Sequence, residues 1–335
     1  MKKGTSTKFK LVVLIAVIVL LPVLAFLLRG SAAFQGITWG VNFSKLGICA
    51  LEIPATASHC AASKKDTLVS LGAYDPDGNF VNSDFFAFDH YFIKWNDLNL
   101  PDLNSKLSLS SQRGRWPMVT VEPWPQDKGI HTEQNLFKDV QGGFYDPQID
   151  NICLSIKSYQ KPVFMRWGQE MEYVSGRYPW ATTDAAGYVG SYRHFVTRCR
   201  SIANNTFYVW SPAGNKELVN YWPGQNYADY IGLSVFSFPQ YEKDTYGRVR
   251  SFNEIFSEKY DLVRGYDRPV IVAEMGVTGD ANHQWFWMQD AFRSFGRYPL
   301  LKSVVYFNAK DSKGAWGEKY DVPDWHIKQD ALQLN

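Results

Sequence analysis

Eight short apolar runs recur along the chain, and they constrain its fold more than any other feature. They fall at residues 68–74, 91–95, 117–121, 163–167, 207–210, 230–236, 270–273 and 304–307. Two of them follow a proline and read as continuous apolar stretches, as strands covered on both faces do. Helices are expected at 150–159, 184–203, 251–265 and 281–295. Thr183-Asp184 opens the second as an N-cap and Asn204-Asn205 closes it. In the last, Trp285, Met288, Phe292 and Phe295 recur at a helical period and are expected to face the strands. Strands and helices alternate without an obvious linker, which predicts a (β/α)8 TIM barrel. An open doubly wound sheet is the alternative, but it calls for a glycine-rich nucleotide turn that is absent.

A chain of 335 residues suffices for one such barrel, assigned to residues 34–335, after a leader at 1–33. A net charge of +2 provides no electrostatic basis for a nucleic-acid partner. Neither a Walker loop nor zinc-ligand spacing is present. Aromatic residues make up 16% of the chain, which serves either a large core or a groove that stacks on sugar rings. Residues 34–65 show little periodicity and read as an arm packed on the barrel.

The leader places Lys2, Lys3, Lys8 and Lys10 before an uncharged run at 11–28 that Arg29 closes. A basic flank before an apolar run directs the chain across a membrane. The run exceeds the roughly 7 to 15 residues of a cleaved signal and approaches the lower limit of about 17 for a spanning helix. Ser31-Ala32-Ala33 is also an acceptable cleavage site. The expectation is therefore export, with residues 11–28 as a membrane anchor or, if cleaved, a secreted domain. Cys49–Cys60 and Cys153–Cys199 are expected as disulfides, the second because its cysteines fall on helices flanking one strand. Asn42 and Asn204 begin glycosylation sequons.

Chemistry gathers just past the strand ends. The stretch KPVFMRWGQEMEYVSGRYPW, residues 161–180, passes from an apolar run into Arg166, Gln169 and Glu170, with Tyr178 and Trp180 beyond. RPVIVAEMGVTG repeats that design and ends on Glu274. Asp75, Glu122, Trp124, Trp210, Phe236, Tyr241 and Asn308 follow other runs, and basic residues suited to phosphate are scarce at these ends. Carboxylates, amides and aromatics on one rim suit a polysaccharide groove. Glycosidic hydrolysis needs one carboxyl as proton donor and a second facing the anomeric carbon, and retaining enzymes hold the pair about 5 to 5.5 Å apart. Strands four and seven lie across the barrel mouth from each other, so Glu170 and Glu274 can meet. Trp167, Met171 and Tyr173 are expected to keep Glu170 protonated as the acid, leaving Glu274 ionised as nucleophile. Arg166 either holds a carboxylate of this pair or joins a structural acid.

In order along the chain, LGAYDPDG, VTVEPW, RWGQEM, RYPW, FYVWSPAG, YWPGQNYADYIGLSVF, PVIVAEMG, VVYFNAKD and DWHI resemble the segments of glycoside hydrolase family 26. The resemblance spans most of residues 68–327. It implies a retaining endo-β-glycanase acting on β-mannan or another β-linked glucan or exopolysaccharide, with Glu170 as acid/base and Glu274 as nucleophile. Gln169, Arg166, Trp124, Trp180, Trp210, Phe236, Tyr241 and Asn308 would contact substrate, with Trp180 and Trp210 as sugar platforms or walls. Two carboxylates complete such a reaction, so no metal or cofactor is expected, and a monomer is the default. Gln169 stands where the family has His, Glu172 where it has Asn, and Ser234 and Phe236 where Asp and Tyr are common. Tyr241 is the candidate to replace the lost hydroxyl. A transglycosylase would share all these residues, and a non-catalytic glycan-binding barrel would keep the groove.

Overall fold

The computed structural model describes residues 69–332. The apolar run at 11–28, Ser31-Ala32-Ala33, the Asn42 sequon, Cys49 and Cys60 lie outside the described residues. Among the described residues, no helix is long and apolar enough to cross a membrane.

Each expected apolar run becomes a strand. They are β1 (Ser70–Tyr74), β2 (Phe88–Lys94), β3 (Trp116–Glu122), β4 (Val163–Trp167), β5 (Thr206–Trp210), β6 (Tyr230–Ser237), β7 (Val270–Val277) and β8 (Leu301–Phe307). They pair in chain order into a closed barrel, which β1 and β8 complete in parallel with Gly72 beside Val305. Every residue of β3, β4 and β7 is buried, because a parallel barrel strand has side chains on the inside and helices on the outside.

The outer layer comprises α1 (Leu100–Gln112), α2 (Leu136–Gln141), α3 (Asp146–Tyr159), α4 (Ala185–Ile202), α5 (Pro239–Tyr246), α6 (Phe252–Val263) and α7 (Ala281–Ser294). Asp184 caps α4, its Oδ1 accepting the Gly187 N–H at 2.8 Å. Ser251 and Glu254 form a reciprocal capping box at α6. On and just beyond α7, Met288, Phe292 and Phe295 are buried as the periodicity predicts, whereas Trp285 is only partly buried against the core and Trp287 is buried. Helices α1 and α5 went unread because their apolar residues are few, and α2 because it is only 6 residues long. In α1 only Leu103, Leu107 and Ser110 are buried. The ring departs from a full eightfold alternation. Among the described residues, the β1–β2 connection has no α-helix, and β5–β6 has only a 3-10 helix, Lys216–Tyr221.

Cys153 on α3 and Cys199 on α4 form a disulfide, with a Cα–Cα distance of 5.4 Å. These helices flank β4 and stand side by side in the ring, as the sequence order implied.

Irregularity in β7 positions the site. Leu233 pairs with Val272 but Ser234 pairs with Glu274, so Ala273 is an extra residue on β7. The β7–β8 register slips over the same stretch, between Val272 and Met275. Such a bulge breaks the in–out alternation and re-aims the side chain that follows it, here Glu274.

Candidate active site

Beyond β4 the backbone turns sharply, with Gly168 at φ +55° and Glu170 at φ +56°. A left-handed backbone is natural for glycine but costs a glutamate about 1 kcal/mol or more. Neighbouring bonds hold it there. The Glu170 N–H donates to Ser211 O at 2.8 Å, and Gly168 N–H to Val121 O at 3.1 Å. Trp180 Nε1 donates to Gln169 O at 2.7 Å from behind. The turn sends Glu170 into an open cleft of about 180 Å³ that Glu274 also lines.

Glu274 is buried, and the fully buried Arg166 guanidinium lies 2.6 Å from its Oε1. Of the two partners open to Arg166 in the sequence, the structure selects Glu274. Below them, Arg166 Nη1 reaches Thr120 Oγ1 at 3.4 Å, and that hydroxyl is 2.7 Å from His90 Nε2. Burial and the Arg166 charge push His90 well down, so it stays neutral. Burial pushes the Glu274 carboxyl up to about 7, with the Glu170 charge adding to it and Arg166 opposing. The sequence reading placed the raised carboxyl at Glu170 through Trp167, Met171 and Tyr173. Trp167 and Met171 are instead turned fully into the core, and Tyr173 is largely exposed on the cleft.

The remaining expected site residues divide. Phe236 and Tyr241 line the cleft with the two glutamates. Gln169 is fully buried, and its amide Nε2 donates to Glu122 Oε1 at 3.0 Å. Trp124 Nε1 donates to the other oxygen of Glu122 at 3.1 Å, which leaves the Trp124 ring half-buried beside Lys94. Gln169 therefore braces the β3 and β4 ends and does not face a substrate. Trp180 is fully buried and stacks behind Tyr178 at 4.6 Å, forming a wall with no face open to a sugar. Trp210 is fully buried against Trp222 and Tyr266, on the helix side, and cannot be a platform. Asn308 is consumed by structure, donating to Asp75 Oδ1 at 2.9 Å and accepting the Ile327 N–H at 3.0 Å. Trp210 ends β5, and a residue at a strand end points outward or inward according to a register that sequence does not show.

Sequence reasoning missed the loop residues. Arg177, Arg250, Lys259, Asp311 and Trp316 all line the cleft. Scarcity of basic residues at the strand ends was misleading, because these three cations arrive from loops and from α6. Arg177, after β4, pairs with Asp311, after β8, at 3.1 Å. Asp311 also accepts Trp316 Nε1 at 3.0 Å and Trp325 Nε1 at 3.2 Å. Glu172 accepts the backbone N–H groups of Ala213, Gly214 and Asn215 at 2.7 to 3.1 Å. It fastens the loop after β5 and lies behind the cleft.

The fold and site thus define a (β/α)8 barrel that brings a carboxylate pair together at the C-terminal ends of β4 and β7. No family model matches the chain. It is 25% identical over 233 residues to an endoglucanase H of Acetivibrio thermocellus, covering 65% of this chain and 24% of that protein. It is 25% identical over 210 residues to a β-1,3-xylanase of a Vibrio species, covering 56% and 44%. The chain thus spans less than half the length of these curated relatives. Among solved structures, a family 26 β-mannanase of Bacteroides ovatus superposes with a TM-score of 0.55 at 17% identity, covering 79% and 85% of the two chains. An endo-β-1,4-mannanase of Cellulomonas fimi gives 0.57 at 14%, covering 77% and 66%. The resemblance to glycoside hydrolase family 26 read from the sequence is borne out.

Proposed function

We propose that the chain is a retaining endo-β-glycanase in which Glu274 attacks the anomeric carbon and Glu170 protonates the departing oxygen. The observation that carries this reading is the placement of both carboxyls in one cleft, with Arg166 against Glu274 alone. Attack by Glu274 forms a glycosyl ester while Glu170 donates its proton and the leaving chain departs. Glu170, now ionised, takes a proton from water, and the water cleaves the ester. The Arg166 guanidinium favours the ionised form of Glu274 and aims it. Phe236, Tyr241 and Trp316 line the groove with aromatic rings suited to a sugar chain, and β-mannan or β-glucan is the proposed substrate. The curated relatives support a β-linked glycan. The Cys153–Cys199 disulfide supports an exported domain, tethered through residues 11–28 or released.

The test is incubation of the full chain with mannan, mixed-linkage glucan, cellulose and xylan. Reducing ends should appear on at least one polymer, with a rapid fall in viscosity and β products formed first. Binding with no new reducing ends would instead identify a glycan-binding barrel, and chain lengthening a transglycosylase.

A pH dependence follows from the raised Glu274 carboxyl. The nucleophile works ionised, so kcat/KM should fall about tenfold per pH unit below a limb near pH 7. In Arg166→Met the limb should move to higher pH, because the charge that favours the carboxylate is gone. A pH–rate profile with an unmoved limb would show that another group sets it.

A further inference from the structure

The β6–α6 side of the cleft holds donors that the glycosyl-transfer steps leave unused. Lys259 reaches the cleft from α6, and its Nζ donates to Ala213 O and Ser234 O, each at 2.7 Å. An ammonium has three N–H groups, so one remains. Among the described residues Lys259 forms no ion pair, whereas Arg177 pairs with Asp311 and Arg250 with Glu258. Ser234 Oγ and Arg250 Nε line the same cleft, are buried, and have no hydrogen-bond partner.

Nearby acids do not complete this set. Both oxygens of Glu172 are occupied by backbone N–H groups. Glu242 accepts Ser237 Oγ at 3.2 Å and the Arg250 N–H at 2.9 Å through one oxygen and, among the described residues, closes no ion pair through the other, which is buried without a hydrogen-bond partner; burial pushes its carboxyl up, with the Arg250 charge opposing. Glu170 and Glu274 are engaged in the reaction. A neutral sugar hydroxyl needs no cation, and a desolvated ammonium that closes no ion pair is unfavourable: burial lowers the Lys259 pKa, although the more distant charges of Glu170 and Glu172 oppose that shift.

We propose that Lys259, Ser234 and Arg250 bind a carboxylate borne by the sugar chain, so that the preferred substrate is a uronate-bearing β-glycan. This rests on the glycanase reading above. A carboxylate supplies acceptor lone pairs to the three donors and the direct ion-pair partner that Lys259 lacks among the described residues. Phe236, on the same strand, presents an apolar ring to the body of the sugar.

The experiment compares glucomannan and mixed-linkage glucan with their C6-oxidised forms, in which primary hydroxyls have become carboxylates, and with their sulfated forms. For the full chain, kcat/KM at constant ionic strength should be at least about tenfold higher on an oxidised polymer than on its neutral parent. Lys259→Met should remove that ratio, and Ser234→Ala should reduce it several-fold with the thermal midpoint retained. The ratio separates binding of charge from general damage to the loops that Lys259 joins. If Lys259→Met does not fold, the wild-type ratio and Ser234→Ala decide. Equal or lower kcat/KM on the oxidised polymers overturns the proposal, as does a folded Lys259→Met with its ratio unchanged or a stronger preference for sulfate. Cleavage of neutral polymers without preference leaves the glycanase reading standing. Cleavage of nothing removes both.

Discussion

Replacing Glu274 by alanine should lower turnover on a cleaved glycan by about 10⁴-fold or more, because under the proposed mechanism it removes the nucleophile that forms the covalent intermediate. The loss should appear in kcat. The barrel should survive, since Glu274 lies at the mouth and its ion-pair partner Arg166 keeps a contact with Thr120. Leaving Arg166 buried without its carboxylate costs stability, on the order of 3 kcal/mol. A lowered thermal midpoint with an intact circular dichroism spectrum is therefore expected. Azide fits the space vacated by the carboxylate and should restore cleavage of an activated aryl glycoside, giving an α-glycosyl azide from a β substrate. Full activity in Glu274→Ala would end the assignment.

Glu170→Ala should behave differently. A polysaccharide leaving group needs protonation, so turnover on polymer should fall by about 10²- to 10⁴-fold, the usual contribution of a general acid. A dinitrophenyl glycoside leaves without a proton, so its first step should be nearly unaffected. Its second step should slow, because no base remains to activate water, and the glycosyl ester should accumulate. Azide needs no base and should relieve that step with a β-glycosyl azide as product. The opposite azide stereochemistries of the two variants assign the roles independently of any pKa. Removing a side chain at φ +56° should also leave stability close to unchanged, since alanine meets the same backbone strain.

How far the sequence could be read follows from the range of each signal. Apolar runs are local, so all eight strands were legible, and β4 matched at both ends, 163–167. Glu170 and Glu274 could be picked out as a candidate pair because each follows a proline-led apolar run. The Cys153–Cys199 pairing followed from helix order alone. Side-chain direction at a strand end was not legible. Trp210 ends β5 fully buried on the helix side, although Phe236 near the end of β6 lines the cleft. The bulge at Ala273, which aims Glu274, leaves no mark in PVIVAEMG. Lys259 could not be read as a cleft residue, since nothing in α6 distinguishes it from a solvated helix lysine. Its stem packs over Gly214, where a Cβ would stand 2.7 Å from it. Asn308 and Gln169 looked like substrate ligands because free amides near a site resemble amides that brace loops, and only their partners tell them apart.

The pairing of Glu274 with an anomeric carbon is tested most directly by trapping. The full chain is treated with the activated 2-deoxy-2-fluoro β-glycosides of mannose, glucose and xylose, then digested and mapped by mass spectrometry. The account predicts time-dependent inactivation by at least one of them, with the fluoroglycosyl mass on the peptide carrying Glu274 and absent from Glu274→Ala. A fluoroglycosyl group on any other residue, or an active enzyme that releases α product from a β-glycan, would contradict it.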